Sequence, residues 1–258
     1  MAAATHLSTA LAYDDEGSGT PVVFLHGLTF DRRTWRPIID RLDGVRSIAI
    51  DLPAHGESGG TPIPLEQVAA QVHELLDSSG IDSPVVVGHS MSGGVVAFYA
   101  AAHPTAGVVF VDTGPEVKPF AQLVHQLEPV LRSPQFPLVW QKFEDSLGLD
   151  RIPEPDRSLV LETHTVDQEI VLGYWKELLE AAPDRFQELV DAQVRAIDVP
   201  ILGIFGRPVT EGERERFGWV SDVQLEEYVG EGHFVHVVDP ERFARRLLEF
   251  VRYCTRVT

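Results

Sequence analysis

Ser90 sits in the run Val85-Val86-Val87-Gly88-His89-Ser90-Met91-Ser92-Gly93-Gly94, whose residue types and spacing suit nucleophilic chemistry. The β-branched residues 85–87 read as a short buried strand. Residues 95–102 read as a mostly apolar helix. Small residues, Gly88 and Ser92, stand two places either side of the serine, and Gly93 and Gly94 follow. A serine on a sharp strand-to-helix turn needs small neighbours, because the turn brings strand and helix backbones together. What results is an exposed hydroxyl at the positive end of a helix, with a backbone N–H beside it. Five residues alone also fit a glycine-rich turn without chemistry, so the surrounding elements must decide.

Those elements alternate. Residues 21–25 (Pro-Val-Val-Phe-Leu) form a short continuous apolar run that ends in His26-Gly27-Leu28-Thr29. A weak strand is expected at residues 7–13 and a turn at 14–20. Asp31 is a plausible N-cap for a helix over 32–42, on which Trp35, Ile38, Ile39 and Leu42 share a face. Further strands are predicted at 47–50, 107–111, 200–205 and 223–229, and a helix at 64–76. Asp239-Pro240 marks the start of a closing helix, with Asp as N-cap and Pro in the first turn. Strands that are apolar on both faces, alternating with helices, imply an α/β fold, doubly wound around a mostly parallel sheet. From residue 113 to 198 no strand is expected. Helices are predicted at 120–131, 136–147, 156–161, 169–179 and 185–196, with proline-containing breaks. The expected organisation is a first core segment, 1–112, an inserted all-helical cap, 113–198, and a second core segment, 199–258. The cap aromatics Phe120, Phe136, Trp140, Phe143, Tyr174, Trp175 and Phe186 are expected mainly to pack the cap.

In this order of elements the chain resembles the α/β-hydrolase family, over nearly its whole length outside the cap. The serine turn is similar to that family's nucleophile elbow, G-x-S-x-G, with Ser92 in the place of the last glycine. The resemblance implies that Ser90 is the nucleophile and His233 the general base. His233 lies in Gly230-Glu231-Gly232-His233, between the last strand and the last helix, where the family places its base. His236 reads as a packing residue and His26 as part of the family's structural His-Gly turn. His55 and His89 read as loop and elbow neighbours, and His89 either touches substrate or holds the turn. Oxyanion stabilisation is expected from the backbone N–H groups of Leu28 and Met91.

The acid departs from the common pattern. Gly-x-x-Asp after the strand 200–205 reads here Gly206-Arg207-Pro208-Val209, so valine stands where aspartate is expected. Asp112, at the tip of strand 107–111, occupies the position some family members use. It is the expected acid, at a strand's carboxyl end where such folds assemble sites. A rearranged loop bringing Glu211 or Glu213 to His233 is the alternative, and a third is that no acid is present.

The implied reaction is hydrolysis of a small carboxylic ester or lactone through an acyl-enzyme, in a mainly apolar pocket under the cap. Serine at the elbow argues against haloalkane dehalogenase or epoxide hydrolase chemistry, which resembles cases with an aspartate nucleophile. Two alternatives stay open. One is a non-hydrolytic enzyme, a cofactor-free dioxygenase or lyase, using the histidine and acid as a base. The other is a ligand-binding receptor that kept the site.

Composition narrows the partners. A formal net charge of −18 argues against nucleic acid or an anionic membrane. Cys254 is the single cysteine, so no internal disulfide or cysteine pair for a metal exists, and it reads as a packing residue. No cofactor or metal is expected. There is no signal-peptide pattern, and no apolar stretch approaches the about 20 residues of a membrane span. A cytoplasmic location is the expectation.

Overall fold

The computed structural model describes residues 11–257. The strand predicted at residues 7–13 falls largely outside them. The sheet has seven strands in the order β1-β3-β2-β4-β5-β6-β7. β2 (Thr20–Leu25), β3 (Val45–Ile50), β4 (Val85–His89), β5 (Gly107–Val111), β6 (Ile201–Phe205) and β7 (Val223–Glu227) run parallel. β1 (Tyr13–Gly17) is the antiparallel edge, paired with β3. It is built from Asp14-Asp15-Glu16, residues expected in a turn. An edge strand is paired on one side only, and β1 is largely exposed, so it tolerates charges that a central strand cannot. Asp15 is held by Arg46 on β3 at 2.6 Å. The rule that every strand is apolar on both faces therefore holds in the centre, where β4, β5 and β6 are wholly buried, and fails at both edges.

Alternation along the central strands divides the core in two. Val86, Val108 and Phe110 face one way, onto α2 (Leu65–Ser78) and α3 (Ser92–Ala102). Val85, Val87, Val109 and Val111 face the other, onto α1 (Arg36–Ile39) and α12 (Pro240–Val257). The helix expected over 32–42 is a 3₁₀ turn, Arg32–Trp35, running into α1. Pro37 lacks the N–H that would continue an α-helical ladder across the junction. Asp31 caps the turn, accepting from the Arg33 N–H at 2.9 Å. Cys254 lies fully buried on α12, and burial pushes its thiol up to about 12.

Six helices separate β5 from β6: α4 (Lys118–Leu131), α5 (Phe136–Ser146), α6 (Asp156–Glu162), α7 (Gln168–Tyr174), α8 (Lys176–Glu180) and α9 (Pro183–Ala196). The helix predicted over 169–179 breaks at Trp175. That turn sets the indole among Phe120, Trp140 and Phe143, with ring centroids 5.5–5.8 Å apart. α9 rests against α3, the helix after Ser90. The inserted segment is also sewn to the loops at the sheet's carboxyl edge. Thr165 N–H donates to the Thr29 carbonyl at 2.8 Å and His233 N–H to the Leu147 carbonyl at 3.2 Å. The Tyr174 hydroxyl donates to the Pro53 carbonyl at 2.7 Å. After β6 come α10 (Glu211–Phe217) and, beyond β7, α11 (Val235–Val238). Among the described residues, no helix is long and apolar enough to cross a membrane.

Candidate active site

Strand order reverses between β2 and β4, and loops there diverge to leave a crevice at the carboxyl edge. The Gly27-Leu28 turn leaves β2 and Ser90 leaves β4 on its two sides. Ser90 has φ +55°, a left-handed backbone that costs a non-glycine residue about 1–2 kcal/mol. The turn is held by Ser90 N–H to the Val111 carbonyl, 3.0 Å, and Gly93 N–H to the Ser90 carbonyl, 2.9 Å. Gly88 is required by close approach, since a Cβ there would lie 2.6 Å from both the Ser92 carbonyl and Val96. Ser92 is fully buried and donates its hydroxyl to the His26 carbonyl. The departure from glycine therefore ties the elbow to the neighbouring turn. Smallness was readable from sequence; the bond was not.

Asp112 leaves β5 beside Ser90, also with positive φ, +47°. His233 Nδ1 lies 2.7 Å from Asp112 Oδ2. The other oxygen, Oδ1, accepts the Gly206 N–H at 2.9 Å. Glu211 is exposed on the first turn of α10, away from His233. Glu213 is buried and consumed by Arg207, at 2.8 and 2.6 Å, and by a capping box with Thr210. Val209 is buried, and its N–H donates to Glu227 at 2.9 Å. The structure thus brings together Asp112 and His233 and leaves both glutamates apart from them.

Gly206 is a junction that sequence reasoning missed. Its N–H meets Asp112, and its carbonyl accepts Gly230 N–H at 3.0 Å on the His233 loop. A Cβ on Gly206 would overlap the Gly232 carbonyl. Gly206→Ala is expected to displace both loops together and lower turnover about 100-fold, the scale for a misplacement of about 1 Å. Steady-state kinetics on a folded variant check this; unchanged kcat would contradict it.

Leu28 and Met91 each present a backbone N–H with no acceptor among the described residues. Gly27 keeps these turns close: a Cβ there would sit 3.4 Å from the Ser90 Cβ. The Leu28 turn is itself braced. Thr29, at φ +70°, donates its N–H to His55 Nε2 at 3.2 Å, and Leu52 N–H donates to His26 Nε2 at 3.0 Å. Both rings therefore carry their proton on Nδ1, directed at the carbonyls of Gly27 and Pro53. A cavity of about 420 Å³ opens behind this turn, lined by Thr29, Arg32, His55 and Thr163 among others; Ser90 and His233 do not line it.

His89 is 1% exposed and faces inward rather than toward a substrate. Nε2 lies 2.9 Å from the His233 carbonyl, and its ring is 4.6 Å from those of His233 and His236. His236 is fully buried against Trp35, and neither of its nitrogens has a hydrogen-bond partner.

Burial disfavours the charged form of these rings. It holds His26 down at about 4 and His55 and His236 at about 3, with nearby histidines reinforcing the last two, and lowers His89 well below its usual range. In the unfolded chain each titrates near 6.5. As pH falls below that value the unfolded chain takes up protons that the folded one refuses, so stability is lost. The loss continues until pH nears the folded values. Each ring contributes a slope of about 1.4 kcal/mol per pH unit once the unfolded form is charged. The urea midpoint is expected to drop steeply between pH 6 and pH 4. A midpoint constant over that interval would contradict four neutral buried histidines.

The sequence profile described as the Alpha/beta hydrolase family matches residues 22–246. A non-heme haloperoxidase of Rhodococcus erythropolis is 25% identical, covering 94% of this chain and 96% of that protein. The 2-succinyl-6-hydroxy-2,4-cyclohexadiene-1-carboxylate synthase of Serratia proteamaculans is also 25% identical, over 95% and 98%. A shorter match, 38% identical, spans only 37% of this chain and 37% of a Mycobacterium phage D29 protein. Among solved structures, the enol-lactonase of Burkholderia xenovorans LB400 superposes with a TM-score of 0.71 at 21% identity, over 94% of this chain and 96% of that one. The profile match spans most of the sheet and the turns that carry Ser90 and His233, and the chain belongs to the alpha/beta hydrolase family.

Proposed function

We propose that the protein is a serine hydrolase of small, apolar carboxylic esters or lactones, working through an acyl-enzyme under a helical cap. The observation that carries this reading is the 2.7 Å contact of His233 Nδ1 with Asp112, which follows β5, the strand paired with the one that leads into Ser90. With Nδ1–H given to the carboxylate, Nε2 is left as the base. Neither Nε2 nor the Ser90 hydroxyl is engaged by another described residue. The Ser90 Oγ–His233 Nε2 hydrogen bond would then be made in the substrate complex, where catalytic contacts tighten.

In the first half-reaction Ser90 Oγ bonds to the carbonyl carbon as its proton passes to His233 Nε2. The oxygen gains negative charge and is met by the Leu28 and Met91 amides. The C–O bond to the leaving alcohol breaks, and that alcohol takes the proton from His233. In the second half, water gives a proton to His233 as it attacks the acyl carbon. The carboxylic acid leaves, and the proton returns to Ser90. Asp112 fixes the tautomer of His233 and stabilises the imidazolium. The test is labelling by a fluorophosphonate probe: one phosphonyl group bonded to Ser90 Oγ per chain, with release of fluoride, supports the reading, and no adduct refutes it.

A second reading draws on the full-length similarity to the synthase. There the Asp112–His233 pair would abstract a proton from a bound substrate, with Ser90 only binding it. Retention of turnover without the serine hydroxyl would favour that reading.

A further inference from the structure

We infer that His89 is a positioning residue that locks the main chain of the general base to the strand carrying the nucleophile. This rests on the reading of Ser90 and His233 as a reacting pair. His89 is the residue before Ser90 and the last of β4, a fully buried strand. Its Nε2 lies 2.9 Å from the His233 carbonyl. That carbonyl accepts only, so Nε2 carries the proton and the ring is the neutral Nε2–H tautomer. Charging it is disfavoured by burial and by the His236 and His233 rings, which leaves a fixed neutral donor. The His233 N–H is taken from the opposite side by the Leu147 carbonyl, at 3.2 Å. Both main-chain polar groups of His233 are thereby held, its N–H by Leu147 at the end of α5 and its carbonyl by the elbow strand.

The physical need is plain. His233 sits on a loop with glycines at 230 and 232, both with positive φ. Glycine leaves the backbone of such a loop many accessible conformations, so contacts must select one. The Asp112 carboxylate fixes one end of the imidazole, but a single contact leaves the ring free to swing about it. Fixing the carbonyl as well sets where Nε2 lies relative to Ser90. Because the donor is adjacent to Ser90 in sequence, nucleophile and base move as one body.

His236 supplies the contrast. It is in the same ring cluster, 4.6 Å from His89, fully buried, and makes no hydrogen bond. The test compares His89→Phe, His89→Gln and His236→Phe, using fluorophosphonate labelling rates and p-nitrophenyl butyrate kinetics. The phenyl ring keeps the packing and removes the donor; glutamine keeps an amide N–H near the Nε2 position. We expect His89→Phe to lower kcat and the labelling rate about 100-fold with KM within threefold. His89→Gln should recover to within tenfold of wild type, and His236→Phe should match wild type. Equal rates for folded His89→Phe and wild type would overturn the inference, as would equal losses in His89→Phe and His236→Phe. If His89→Phe does not fold, a folded His89→Gln that has lost 100-fold also overturns it. Wild type that never labels defeats the functional reading itself, and the inference with it.

Discussion

Ser90→Ala is expected to lower ester turnover by about 10⁶ and leave the fold intact. The magnitude follows from removing the atom that forms the covalent bond, a loss of that order where nucleophile and base act as a unit. The structural side is equally specific. The Ser90 hydroxyl has no partner among the described residues, so its removal orphans no buried group. Alanine meets the same left-handed backbone at φ +55° that serine already adopts. The thermal midpoint should therefore stay within a degree or so, while residual turnover reflects only substrate binding and the two free amides. Parallel kinetics and thermal melts check this. A variant that keeps a tenth of the activity would place the chemistry elsewhere.

Asp112→Asn is expected to cost about 10⁴ in kcat, while Glu211→Gln stays within twofold of wild type. The reason lies in how the carboxylate is shared. Oδ1 accepts from Gly206 and Oδ2 from His233. An asparagine has one oxygen for two donors. If its oxygen keeps the Gly206 N–H, its NH₂ faces His233 Nδ1. The ring must then present a lone pair there and carry its proton on Nε2, the wrong tautomer for a base. Buried donors left facing donors are costly, so the alternative arrangement also strains the Gly206 contact. Glu211 is exposed and touches none of these groups. A greater loss from Glu211→Gln than from Asp112→Asn would overturn the assignment of roles.

The sheet and the elbow were legible because their signals are local. Gly107–Val111 is a short apolar run rich in β-branched valine, which suits a fully buried central strand. Gly88 betrays a close approach that only a missing side chain permits. The edge strand was not legible, because Asp14-Asp15-Glu16 carries a turn composition and its pairing with β3 is set by a distant element. The Asp112–His233 contact was half legible: the valine at 209 announced that the usual place was vacant, and a strand tip offered Asp112. What sequence could not show were contacts made by the backbone across loops. Gly206 joins two such loops through its own N–H and carbonyl, and no side chain advertises it. Ser92 looked like a tolerated small residue and proves to be a hydrogen-bond donor. His89 fitted either a substrate contact or a brace for the turn, and its ring turns inward to the His233 carbonyl.

The direct test of the central claim is intact-mass spectrometry of the protein quenched in acid during turnover of p-nitrophenyl butyrate. We expect a butyryl adduct that maps to Ser90, is lost in Ser90→Ala, and accumulates in step with a burst of p-nitrophenol. Steady turnover with no adduct at any quench time, and with Ser90→Ala equally active, would contradict a nucleophilic serine and leave the Asp112–His233 pair to act on substrate directly.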